Sequence, residues 1–224
     1  MNLKLLHQKI NQIINTEKIK VKNSYNTVTP YQTYSRIKFN GLRWSVEKRL
    51  KYIKFSKFLD KSSDVLDIGS NFGFFVCEIA YKCKSAVGVE INPFLNRIGK
   101  LVSRYLKLTN TNFITSSFMD FAKKNTKKYD IILSQASFFT EDGKERSDAK
   151  KYVNTICKML KKNGYFYYES TSYNKKNLIH IRNNIKAKDE MLKILKIKMK
   201  KINEWEGKSG SKDYRRYFYI GQKL

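Results

Sequence analysis

Residues 65–75 read VLDIGSNFGFF. A short apolar run carrying one acid, Asp67, ends in Gly69, and a second glycine, Gly73, follows four residues later. This is the backbone chemistry of a strand that turns sharply into a helix. Gly69 allows the tight turn, and Gly73 lets the helix sit close to the sheet. A glycine-rich turn at a helix N-terminus also offers free N–H groups to an anion or carboxylate. The plain alternative is an ordinary strand–helix turn with a buried acid beside it.

The sequence on either side extends the pattern. Strand-like runs DVLDIG (64–69), SAVGVEI (85–91), NFITSS (112–117), YDIILSQ (129–135) and YFYYES (165–170) alternate with helical ones. The helical runs are FGFFVCEIAYKC (72–83), PFLNRIGKLVSRYLKL (93–108) with Pro93 in its first turn, FMDFAKK (118–124) and DAKKYVNTICKMLKKNG (148–164), the last expected to end at Gly164. Such alternation predicts an α/β fold with a doubly wound, parallel, Rossmann-like sheet. A long basic helix over 174–195 follows. IKMKKINEW (197–205) and YRRYFYIGQKL (214–224), joined by the turn-rich GKSGSKD, read as a C-terminal antiparallel hairpin. Upstream, LKLLHQKINQII (3–14) and WSVEKRLKYIKFSKFL (44–59) have helical apolar spacing. The chain thus divides into a helical N-terminal extension, 1–60, and a ligand-binding α/β domain, 61–224.

In such folds ligands bind beyond the carboxyl ends of the strands. A dinucleotide fingerprint would read GxGxxG, but Gly69-Ser70-Asn71-Phe72-Gly73 breaks that spacing and lacks the middle glycine. Glu90 closes the next strand, 21 positions after Gly69, where an acid can accept hydrogen bonds from both hydroxyls of a ribose. Asp67 favours a ligand carrying an amino or sulfonium charge.

The 224 residues carry a net charge of +27 with 41% hydrophobic residues. That charge suits RNA or an anionic membrane surface as partner. Abundant Lys, Asn, Ile, Tyr and Phe, with lysine scattered along the chain, also fit an AT-rich coding bias. Cys77, Cys83 and Cys157 show no disulfide framework, and with two histidines no metal site is expected. No apolar run approaches the ~20 residues of a membrane span, and the first residues lack a signal-peptide core. A cytoplasmic protein is expected.

Taken together, the motifs resemble those of class I S-adenosylmethionine-dependent methyltransferases, over roughly residues 64–170. VLDIGSNFGFF is similar to that family's first motif and VGVEINP (87–93) to its second. NFITSSFMDF, YDIILSQASFF and MLKKNGYFYYES follow in the family's order. The resemblance implies that Asp67, Gly69, Ser70, Asn71 and Gly73 hold the methionine part of S-adenosyl-L-methionine and that Glu90 holds its ribose. It places Ser116, Ser117 and Phe118 near adenine, and Ser134 and Gln135 near the methionine or its methyl group.

A finer resemblance, in NGLRWSVEKRLKYI (40–53), is to methyltransferases of surface glycan and polysaccharide synthesis. There Gly41, Arg43, Glu47 and Arg49 cluster, and Arg43 could pair with a carboxylate of cofactor or acceptor. Phe138, with Phe139 and Trp44, could stack on a sugar or base.

Related enzymes often place a histidine after the fourth strand; here the loop reads QASFFTEDG. Candidate bases are therefore Glu169, at the end of the fifth strand, and Glu141 and Asp142 in that loop. No Asn-Pro-Pro-aromatic motif follows the fourth strand, which lowers attack by an exocyclic amine. The leading expectation is O-methylation of a sugar hydroxyl on a glycan or a small-molecule precursor, with peripheral contact to an anionic membrane. The alternative is an RNA methyltransferase.

Overall fold

A computed structural model of the chain describes residues 1–21, 30–138, 148–174, 179–209 and 211–224. The chain forms two compact units, one from Met1–Ser63 and Ser70–Ser116, the other from Asp64–Gly69 and Ser117–Leu224. Residues 1–63 thus share a unit with residues 70–116.

In the first unit, helices α1 (Leu3–Lys20), α2 (Val46–Tyr52), α3 (Phe74–Ala80) and α4 (Pro93–Tyr105) accompany parallel strands β2 (Ser85–Glu90) and β3 (Thr111–Thr115). Helix α1 buries Leu6, Ile10 and Ile14, at helical spacing, and packs against α4. Helix α4 starts where Asn92 Oδ1 accepts from the N–H groups of Phe94 and Leu95, with Pro93 as first helical residue. The Asn92 amide in turn donates to buried Glu17 of α1, at 3.2 Å. The helix expected over 44–59 is shorter. It stops at Tyr52, Lys54 takes φ 52°, and a 3-10 turn covers Phe55–Phe58.

In the second unit, β1 (Asp64–Ile68), β4 (Tyr129–Gln135) and β5 (Leu160–Glu169) pair in parallel. Strand β8 (Ser211–Lys223) runs antiparallel to β5 and also pairs with β6 (Tyr173–Asn174) and β7 (Met199–Ser209). Helices α5 (Phe118–Lys124), α6 (Ala149–Met159) and α7 (Ile179–Lys198) complete the unit. All five residues of β1 are buried, as a parallel strand covered on both faces requires.

Asn163-Gly164 does not end a helix. Helix α6 stops at Met159 and the chain enters β5 at once. The β4–β5 register jumps from Tyr129↔Leu160 to Ile131↔Tyr165, so residues 161–164 bulge out. Asn163 has φ 62°, and a Cβ on Gly164 would stand 2.9 Å from the Asp130 carbonyl oxygen. The pair serves a close backbone approach within a sheet instead of a helix cap.

Candidate active site

The opening stretch is as tight as its glycines suggest. Gly69 (φ 70°), Asn71 (φ 53°) and Gly73 (φ 68°) all have left-handed backbone. Asn71 is one of the few residues other than glycine that adopts this region readily. Its side-chain oxygen accepts from the Phe72 N–H at 2.9 Å. A Cβ on Gly73 would lie 2.3 Å from the Phe113 ring and 3.0 Å from Gly99 Cα. Ser70 fits close to β2 because position 88 is glycine: a Cβ there would meet Ser70 Oγ at 2.7 Å.

In the first unit the loop is fastened to Glu90. The Asn71 N–H donates to Glu90 Oε2 at 2.8 Å and the Asn92 N–H to Oε1 at 2.9 Å. One carboxylate thereby holds both the glycine-rich turn and the start of α4. Charge-assisted bonds of this kind are roughly twice as strong as neutral ones. The Ser116 N–H donates to the Glu90 carbonyl. Ser70 Oγ is buried without a hydrogen-bond partner among the described residues.

In the second unit Asp67 is 1% exposed, and the Gln135 amide donates to it at 3.4 Å. A Cβ on Gly69 would meet Ser137 Cβ at 2.6 Å. The hydroxyl of Ser134 bonds those of Ser137 and Tyr152, at 2.9 and 3.0 Å. Ala136, between them, has φ 60°, and its N–H donates to the Glu169 carbonyl. Ser117 caps α5, accepting from the Asp120 N–H. Phe118 and Phe138 are both buried against the Tyr152 ring, with centroids 5.0 and 4.9 Å away. Phe138, expected to stack on substrate, has this aromatic partner within its own unit.

Glu169 is not an isolated base. It is 3% exposed, and the Arg216 guanidinium donates to it; Arg216 Nε also donates to Ser172 Oγ at 3.0 Å. The guanidinium and a carboxylate oxygen are thus already paired inside the unit. Glu141, Asp142 and Phe139 lie outside the described residues.

The upstream cluster makes its contacts within the first unit. A Cβ on Gly41 would sit 2.3 Å from the Gln32 carbonyl oxygen, so a side chain does not fit. Arg43 Nε donates to the Tyr31 hydroxyl at 3.2 Å. Glu47 accepts the N–H groups of Ser35 and Arg36. Burial raises its pKa, but hydrogen bonds from its own N–H, Arg36, Ser45 and Ser35 outweigh that and leave it lowered. Arg49 lies over the Phe75 ring, 5.7 Å from its centroid. Trp44 remains 51% exposed.

Ser137, Tyr152 and Arg216 were not legible as site residues. Arg216 reaches Glu169 only through β8 pairing with β5, and no local spacing announces that.

Comparison with known proteins identifies the family. A family described as "Methyltransferase domain" matches residues 59–222. EEF1A lysine methyltransferase 2 of Danio rerio is 23% identical over 158 residues, covering 67% of each chain. An uncharacterized RNA methyltransferase of Mycoplasma mobile is 28% identical over 111 residues, which is 45% of this chain and 31% of that protein. The N-methyltransferase NodS from Bradyrhizobium japonicum, solved with S-adenosyl-L-homocysteine, superposes with a TM-score of 0.62. The match is 13% identical and covers 97% of this chain and 98% of NodS. The chain therefore belongs to the methyltransferase domain family, as an S-adenosylmethionine-dependent enzyme with a Rossmann-like α/β fold.

Proposed function

We propose that the enzyme methylates a sugar hydroxyl. The observation that carries its cofactor half is the Glu90 carboxylate, fixed by the Asn71 and Asn92 N–H groups. An acid so oriented suits the two hydroxyls of a ribose. Asp67, Gly69, Ser70, Asn71 and Gly73 would hold the methionine end, Ser116, Ser117 and Phe118 the adenine, and Ser134 and Gln135 the region of the methyl group. The unpartnered Ser70 hydroxyl and the left-handed backbone at Gly69 and Gly73 fit that assignment. When bound, S-adenosylmethionine supplies both the electrophilic methyl group and its leaving group.

For the acceptor, the chain's own residues must orient an oxygen and accept its proton. The sequence after β4, Ala136-Ser137-Phe138, lacks the motif that presents an exocyclic amine, which favours oxygen as the acceptor atom. Glu169, paired with Arg216, acts in this reading by positioning β5 and the following serines. Glu141 and Asp142 are the candidate proton acceptors.

Two carriers of the sugar have support. The exposed Trp44 and the adjacent Arg43 suit a glycan or its precursor. The net charge of +27 and the named activity of the Mycoplasma relative suit RNA.

The test uses purified protein and methyl-labelled S-adenosylmethionine, with glycan-precursor, RNA and protein fractions in parallel and Glu90→Ala as control. Label on a sugar oxygen, lost in the variant, supports the proposal. Label on a lysine side chain or a base nitrogen overturns it.

A further inference from the structure

The first unit holds a groove of about 540 Å³ along α1 and α4, with none of residues 69–73 in its lining. Lys9, Arg97, Lys100 and Arg104 line it, with Ile13 and Phe94 among its apolar contributors. No acid lines it. Glu17 is the one acid in α1, and it is buried; α4 has none.

Coding bias does not account for this arrangement. Lysine outnumbers arginine in the chain by 37 to 9, yet two of the three cations on α4 are arginines. Arginine is the side chain whose planar fork matches phosphate oxygens. Arg97, Lys100 and Arg104 are three and four residues apart, so they share one helix face, rising ~4.5 and ~6 Å. A row of cations with an opposing Lys9 suits a linear series of anions better than a single one. Half-buried Phe94, one turn before Arg97 on the same helix, adds a stacking surface. A basic groove with an aromatic platform is how sequence-tolerant sites hold single-stranded nucleic acid. A membrane is flat and would leave a concave floor unfilled.

We infer that the α1–α4 groove docks the phosphodiester backbone of single-stranded RNA. This rests on the sugar-hydroxyl reading above, with ribose as the sugar and RNA as its carrier.

The experiment measures binding of a fluorescent 12-nucleotide oligouridylate to the full chain by anisotropy, across a salt series. One variant carries Arg97→Glu, Lys100→Glu and Arg104→Glu. A control carries Lys82→Glu, Lys84→Glu and Lys158→Glu, three exposed lysines outside the groove. Both lower the net charge by six, from +27 to +21. The expected result is a loss of at least roughly tenfold in affinity for the groove variant and little change for the control. The groove variant should also lower the slope of log affinity against log salt by about 2, for three lost phosphate contacts. S-adenosylmethionine binding, unchanged in both, shows that they fold.

Equal loss in both variants overturns the inference, because total charge then explains binding. So does absence of RNA binding by the parent chain, or binding by the groove to phosphatidylserine vesicles instead of the oligonucleotide. The sugar-hydroxyl reading fails separately, when the methyl label enters RNA at a base nitrogen although the groove still binds.

Discussion

Arg216 of β8 donates a hydrogen bond to Glu169 of β5, and both side chains are buried. Removing Arg216 takes away the buried guanidinium that faces Glu169. Arg216→Ala is expected to destabilise the fold by about 3–5 kcal/mol, read from denaturant unfolding. Replacing both, as Glu169→Leu with Arg216→Met, should recover most of that loss.

The same pair bears on catalysis. Glu169→Gln is expected to keep kcat within roughly tenfold and leave the shape of its pH profile unchanged, since Arg216 already engages this carboxylate. A loss of ~100-fold or more together with disappearance of the acidic limb would make Glu169 the proton acceptor.

Glu90→Ala removes the acceptor of two backbone N–H groups in addition to the proposed ribose contact. Hydrogen bonds to charged groups contribute about 1.5–3 kcal/mol each, so S-adenosylmethionine affinity should fall by ~10–100-fold or more. Titration calorimetry measures it. Unchanged affinity would mean that this acid serves the turn alone.

Gly73→Ala places a methyl group against Phe113 and Gly99 at a residue with φ 68°. Overpacking costs about 1–3 kcal/mol and left-handed backbone about 1–2 more. Urea unfolding should show the loss, while Asn71→Gly, which keeps the conformation, should be much milder.

Acid stability has a named contributor on the terminal hairpin. Burial raises the Glu204 pKa, but hydrogen bonds from Lys201, Lys196 and Tyr217 bring it from 4.5 down to about 2. A carboxylate with a depressed folded pKa stabilises fully above its ordinary value and loses that contribution as pH falls through the depressed one. Melting temperature should therefore drop between pH 4.5 and about 2, and Glu204→Gln should flatten that part of the curve.

Much of this was readable from the chain because it is written locally. Gly69, Asn71, Gly73 and Glu90 are fixed by turn geometry and strand ends, and Asn92-Pro93 by helix capping. The errors arose where two local meanings share one spelling. Asn163-Gly164 looks like a helix cap, yet it serves a bulge whose need for close approach comes from Asp130 on another strand. Lys54 interrupts a run whose apolar spacing continues through it. The Glu169–Arg216 pair joins residues 47 apart, and long-range pairing of that kind leaves no periodic trace.

Helix α3 follows directly from the glycine-rich turn and is buried along its whole length, including Glu78. That acid is met by Arg36 at 2.9 Å and by the Tyr34 hydroxyl at 3.0 Å. Both partners belong to the segment ahead of the first strand, so that segment supplies the counter-charge that lets an acidic residue sit inside the helix. Trimming the chain to its recognisable methyltransferase core would leave the helix behind the turn carrying a bare charge. A minimal catalytic fragment must begin before Tyr34.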